Sequence, residues 1–228
     1  DALNSHRFPK IIFVDTNCSG VIETIQGLVQ GIQSPEEIVV NVISKSGTTT
    51  ETIANFEVIH TLLKERFGEI KNRIVVTTDE GSKLWIAGER EGFTCLSIPK
   101  NVGGRYSILS AAGTLSLSLA GIDTKALREG ASLVRESCLE DNNTENMAMI
   151  SAVILYRYYQ KGISIHNNFF FSPELESLGK WYRQLVGESL GKDSKGILPI
   201  VSIGSNDLHS VAQLYLGGPK NIFTTFVR

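Results

Sequence analysis

Short apolar runs of strand length alternate along this chain with longer stretches of helical spacing. Residues 10–15 predict a strand, and residues 21–31 a helix with apolar positions at Ile22, Ile25, Leu28 and Val29. Residues 37–44 (EIVVNVIS) are rich in β-branched side chains and predict a strand buried on both faces. A long amphipathic helix follows over 49–66, then a strand over 73–78, a helix over 83–91 and a strand over 93–98. This rhythm predicts a parallel sheet with helices on both faces.

After Pro99 the pattern changes. A loop runs through Asn101-Val102-Gly103-Gly104-Arg105, and a helix rich in small residues covers 109–120. Asp123 is placed to cap a helix over 124–138. The polar run 140–145 is the best linker candidate. Beyond it come a helix over 146–161 and a strand over 163–168. Ser172 and Pro173 then open a helix that reaches about Leu190. A strand over 198–203, a helix over 207–216 and a strand from Lys220 complete a second α/β unit. The division expected is 1–140 and 141–228.

Composition narrows the class. The 228 residues are 42% hydrophobic and 20% charged, with a net charge of −2, which is ordinary for a globular protein and excludes disorder as the main state. Near neutrality leaves no global field to attract nucleic acid or an anionic membrane. No stretch approaches the roughly 18 uninterrupted apolar residues of a bilayer span. Cys18, Cys95 and Cys138 lie far apart and form no pair, so a reducing cytoplasm is expected. The few histidines form no cluster with cysteine, so no metal site is expected. The abrupt ends suggest a piece of something longer.

The first chemical signal is Ser44-Lys45-Ser46-Gly47-Thr48-Thr49-Thr50-Glu51-Thr52, where a predicted strand meets a predicted helix. Ligands of open parallel sheets bind at the carboxyl ends of strands. A helix start offers unpaired N–H groups and the positive end of a dipole, which favours phosphate. The hydroxyls of Ser44, Ser46, Thr48 and Thr49 can donate to phosphate oxygens, Lys45 adds charge, and Gly47 permits a tight turn. Thr48 and Glu51 have capping-box spacing. The segment matches neither a Walker A nor a dinucleotide fingerprint and suits a phosphomonoester. A hydroxyl-rich helix cap with no ligand has the same composition.

Three other residues carry chemistry. Gln184 and Glu188 are four apart and share a helical face. Near a helix C-terminus Glu188 is expected to hold a proton more tightly, as a base working near neutral pH can use. His209 follows a strand–helix junction, with Ser205 or Asp207 as cap, and a first-turn position would favour neutral imidazole. Arg105 follows two glycines and could stabilise a developing oxyanion. Taken singly, Glu188 also reads as a solvated surface carboxylate, His209 as a packed capping residue and Arg105 as a loop arginine in an ion pair. His6, His60 and His166 lack comparable settings and read as structural or surface residues.

Together the segments 44–52, Val102-Gly103-Gly104-Arg105-Tyr106-Ser107, 184–192 and Asp207-Leu208-His209-Ser210 resemble the phosphoglucose isomerase family, in that family's order. The resemblance implies an α/β fold of two sugar-isomerase-type three-layer sandwiches, doubly wound on parallel sheets. It implies interconversion of glucose 6-phosphate and fructose 6-phosphate without metal or organic cofactor. By position, Ser44, Lys45, Ser46, Thr49 and Thr52 would hold the phosphate, and Gln184 would help position the sugar. Glu188 would move a proton between C1 and C2, Arg105 would stabilise the cis-enediolate, and His209 would assist ring opening from the partner subunit of a homodimer. The family's upstream Gly-Ile-Gly-Gly-Ser loop and its C-terminal lysine have no counterpart here, which fits a fragment. The rival function is a sugar-phosphate-binding regulatory module without chemistry.

Overall fold

The computed structural model describes residues 9–139 and 146–228. Contacts divide the chain into two compact units, one ending at Thr124 and the other spanning Lys125–Arg228. Each is an α/β unit whose strands all pair in parallel.

The first unit contains α1 (Ser19–Gly31), β1 (Val40–Ser44), α2 (Thr50–Phe67), β2 (Ile74–Thr78), α3 (Lys83–Glu91), β3 (Thr94–Ser97) and α4 (Ala111–Leu119). Its sheet has the order β1-β2-β3. The helices build the core against β1 and β2: Ile25, Val29, Phe56, Leu63 and Leu84 cluster with Val42, Ile74 and Val76. Parallel strands need helical crossovers, and the predicted alternation supplies them. Register matters most for function. Ser44 lies opposite Thr78, and Thr78 opposite Ser97, so a hydroxyl residue ends each strand along one edge.

Two expectations fail in this unit. Residues 10–15 form no strand. Their apolar run is a local signal, whereas a strand requires a neighbouring ladder. Instead the carbonyls of Val14 and Thr16 accept from Asn55 Nδ2 at 3.4 and 3.3 Å. Nor is β1 buried on both faces: it stands at the end of the strand order and leaves Ile43 exposed.

In the second unit α5 (Thr124–Leu139) and α6 (Met147–Gln160) precede β4 (Ile165–Phe170), α7 (Glu176–Leu190), β5 (Leu198–Ile203), α8 (Asn206–Ser210), α9 (Ala212–Gly217) and β6 (Ile222–Val227). The order is β5-β4-β6. Asn146 caps α6 by accepting from Met149 N at 2.9 Å. Ser172 provides no side-chain cap; a short 3-10 turn, Pro173–Leu175, leads into α7. The helix expected over 207–216 is broken at Val211 into α8 and α9. The linker proposed at 140–145 lies outside the described residues.

Candidate active site

The β1–α2 connection is a tight turn. Gly47 N donates to Ser44 O at 3.1 Å, and Gly47 adopts φ +67°. A side chain there would meet Ser82 Oγ at 2.6 Å, so both conformation and space demand glycine. Ser44 Oγ and Thr49 Oγ1 are hydrogen-bonded at 2.8 Å, and Thr48 donates to Ser46 Oγ through both N and Oγ1, at 3.2 and 3.0 Å. The capping box expected from Thr48 and Glu51 does not form. The helix starts at Thr50 after Thr49, whose hydroxyl faces Ser44 and makes no side-chain cap. The first turn of α2, which includes Thr52, is therefore left without a side-chain cap. That arrangement suits an oxyanion: N–H groups and hydroxyls converge at a helix start.

Lys45 lies between this turn and its neighbours. Its ammonium pairs with Asp79 and donates to Pro99 O and Lys100 O at 3.2 and 3.4 Å. Its carbonyl accepts from Asp79 N at 3.1 Å. Asp79 is a partner that the composition of the turn does not reveal. The available signal was its position just past the carboxyl end of the strand that pairs with β1. Arg105 lies in a 3-10 turn, Gly104–Leu109, half-buried, with its guanidinium 4.9 Å from the Tyr106 ring centroid. Gly104 lies near Lys45: a Cβ on it would stand at ordinary contact distance, 3.8 Å, from Lys45 Cβ. Ser44, Lys45, Ser46, Thr49, Thr52 and the turn bearing Arg105 thus belong to one unit.

Gln184, Glu188 and His209 belong to the other unit. On α7, Gln184 Nε2 donates to Glu188 Oε1 at 3.1 Å, as the four-residue spacing predicts. Both residues are exposed in the last turns of the helix. His209 is exposed on α8. The expectation that a helix dipole would act on His209 fails, because α8 has only 5 residues and His209 stands in its last turn. Neither suggested residue caps α8 as expected. Ser205 makes no side-chain cap, while Asp207 accepts from Ile203 N at 2.7 Å and from Ser210 Oγ at 2.8 Å.

The helix carrying Glu188 is fixed to its sheet by polar contacts that the sequence did not reveal. His166 in β4 is 3% exposed; its Nδ1 lies 3.0 Å from Tyr182 Oη on α7 and its Nε2 3.0 Å from Thr225 Oγ1 on β6. Burial pushes the His166 imidazole below its ordinary value. Burial raises the Tyr182 phenol, a hydrogen bond with Asn168 pulling the other way. Among the described residues no group of His, Cys, Asp and Glu could hold a metal ion, and no helix is long and apolar enough to cross a membrane.

The family described as phosphoglucose isomerase matches residues 2–223. The chain belongs to the phosphoglucose isomerase family. It is 39% identical to the glucose-6-phosphate isomerase of Staphylococcus saprophyticus, covering 99% of this chain and 51% of that one. It is 38% identical to the enzyme of the same name from Streptococcus pyogenes, covering 97% and 49%. A crystal structure of a Thermus thermophilus protein described as hypothetical superposes with TM-score 0.87 at 33% identity, over 95% of this chain and 52% of that one. That of a Chlamydia trachomatis glucose-6-phosphate isomerase gives 0.82 at 23% identity, over 99% and 45%, and shares the fold. This family member spans about half the length of the curated relatives it matches.

Proposed function

We propose that this chain is part of an isomerase that interconverts glucose 6-phosphate and fructose 6-phosphate in the cytoplasm, within glycolysis and gluconeogenesis. The observation that carries the reading is the Ser44–Thr49 turn, which presents hydroxyls and an uncapped helix start at the carboxyl end of a parallel strand. Phosphate bound there supplies energy remote from the reacting carbons, which fixes the sugar and lowers the barrier of the chemical step. Ser44, Ser46, Thr49 and Thr52 form the phosphate site, and Lys45 lies within the same turn.

Aldose and ketose share one enediolate, so one base moving one proton between C1 and C2 suffices. Glu188 is that base. Gln184, bonded to its Oε1, orients the carboxylate and contacts the substrate. Arg105 stabilises the enediolate charge. His209 exchanges a proton with the ring oxygen during opening and acts from the partner subunit of a homodimer. General base catalysis contributes about 100- to 10,000-fold. The finer architecture belongs to the same proposal: two doubly wound sugar-isomerase sandwiches, divided near residues 140–141.

Isomerisation in heavy water tests the assignment. The native protein is expected to convert fructose 6-phosphate to glucose 6-phosphate with solvent deuterium entering at C2. Glu188→Gln is expected to abolish turnover and exchange while binding of fructose 6-phosphate persists. A Glu188→Gln protein that turns over at the native rate refutes the role of Glu188.

A further inference from the structure

We propose that Lys45 is a positioning residue, whose ammonium acts as a strut that Asp79 anchors between the phosphate turn and the segment leading to Arg105. The inference rests on the phosphate reading of that turn. An ammonium has three protons to donate and no acceptor. At Lys45 there are three acceptors: the Asp79 carboxylate, Pro99 O at 3.2 Å and Lys100 O at 3.4 Å. With each proton so engaged, none is left to reach a bound phosphate.

The backbone of Lys45 is tied to the same place. Its carbonyl accepts from Asp79 N at 3.1 Å and from Thr78 Oγ1 at 3.4 Å. Both ends of the residue therefore clamp the turn to the tip of β2, and the side chain goes on to the segment after β3. There Gly104 comes near, one residue before Arg105: a Cβ built on it would lie 3.8 Å from Lys45 Cβ. The ion pair is mostly shielded, with side-chain exposures of 22% for Lys45 and 27% for Asp79. Asp79 also neutralises the lysine charge beside the site. Anion recognition then falls to hydroxyls and to the N–H groups at the start of α2, both held in place by the strut.

The two roles available to Lys45 predict opposite signs. If Lys45 is a phosphate ligand restrained by Asp79, Asp79→Asn frees it and tightens phosphate binding. If Lys45 is a strut, Asp79→Asn loosens the turn and weakens binding. Titration calorimetry with inorganic phosphate at fixed ionic strength reads this directly. Lys45→Met and Asp79→Asn are each expected to raise the phosphate Kd by about three- to tenfold, with the double variant no worse than the worse single. Urea unfolding of the same four proteins is a readout independent of ligand, and non-additive midpoints are expected. Tighter phosphate binding by Asp79→Asn, or additive unfolding effects, overturns the strut. Coupled unfolding in a native protein that binds no phosphate upholds the strut and defeats the phosphate reading instead.

Discussion

At the scale of single residues, the chemistry here depends on polar groups held in place by other polar groups. His166 is the sharpest case. Folded, it is buried, with one ring nitrogen at Tyr182 and the other at Thr225. Unfolded, it takes up a proton near its ordinary value of 6.5, whereas burial lowers its value in the fold. The unfolded state therefore binds more protons, and stability present above that ordinary value is lost as pH falls toward the lower folded one. Urea midpoints measured between about pH 7.5 and about pH 5 are expected to fall for the native chain more than for His166→Asn; equal slopes contradict this account of His166. The hydroxyl-rich turn was legible from sequence because six of nine successive residues, 44–52, carry hydroxyls at a strand–helix junction. Asp79 and Tyr182 were not, because each acts on a residue more than ten positions away, which composition does not reveal.

At the scale of elements, α7 brings Gln184 and Glu188 to one face, and its seat on the sheet decides where they stand. The contact is made through Gly179, which is buried. A Cβ on it would lie 2.6 Å from Phe170 Cε2 and 2.7 Å from Val201 Cγ1. Gly179→Ala is thus expected to cost about 1–3 kcal/mol in urea unfolding through overpacking. Unchanged stability would mean that α7 sits less closely than described. Helices were the most legible elements: the predicted span 83–91 coincides with Lys83–Glu91. Failures arose where a local pattern needed a distant partner. The apolar run 10–15 reads as a strand yet has no ladder to join, and although the strand expected over 163–168 forms as Ile165–Phe170, its burial of His166, Asn167 and Asn168 is not what apolar patterning anticipates. The break at Val211 was also invisible, since residues 207–216 keep helical spacing on both sides of it.

At the scale of the whole molecule, the residues proposed for the reaction fall in two α/β units, each built on a parallel sheet. One holds the phosphate turn and Arg105, and the other holds Gln184, Glu188 and His209. The alternation of strands and helices made that class of fold and a second α/β unit readable, while the boundary after Thr124 emerged only from tertiary contacts. The proposal gives the first unit a task that can be measured without turnover: recognising the anionic end of a sugar. Calorimetric titration with fructose 6-phosphate, set beside unphosphorylated fructose, measures it most directly. The account predicts saturable binding of the phosphorylated sugar alone, weakened at least about tenfold when Ser46→Ala and Thr49→Val are combined. Equal binding of the two sugars, or affinity indifferent to those two hydroxyls, would contradict it.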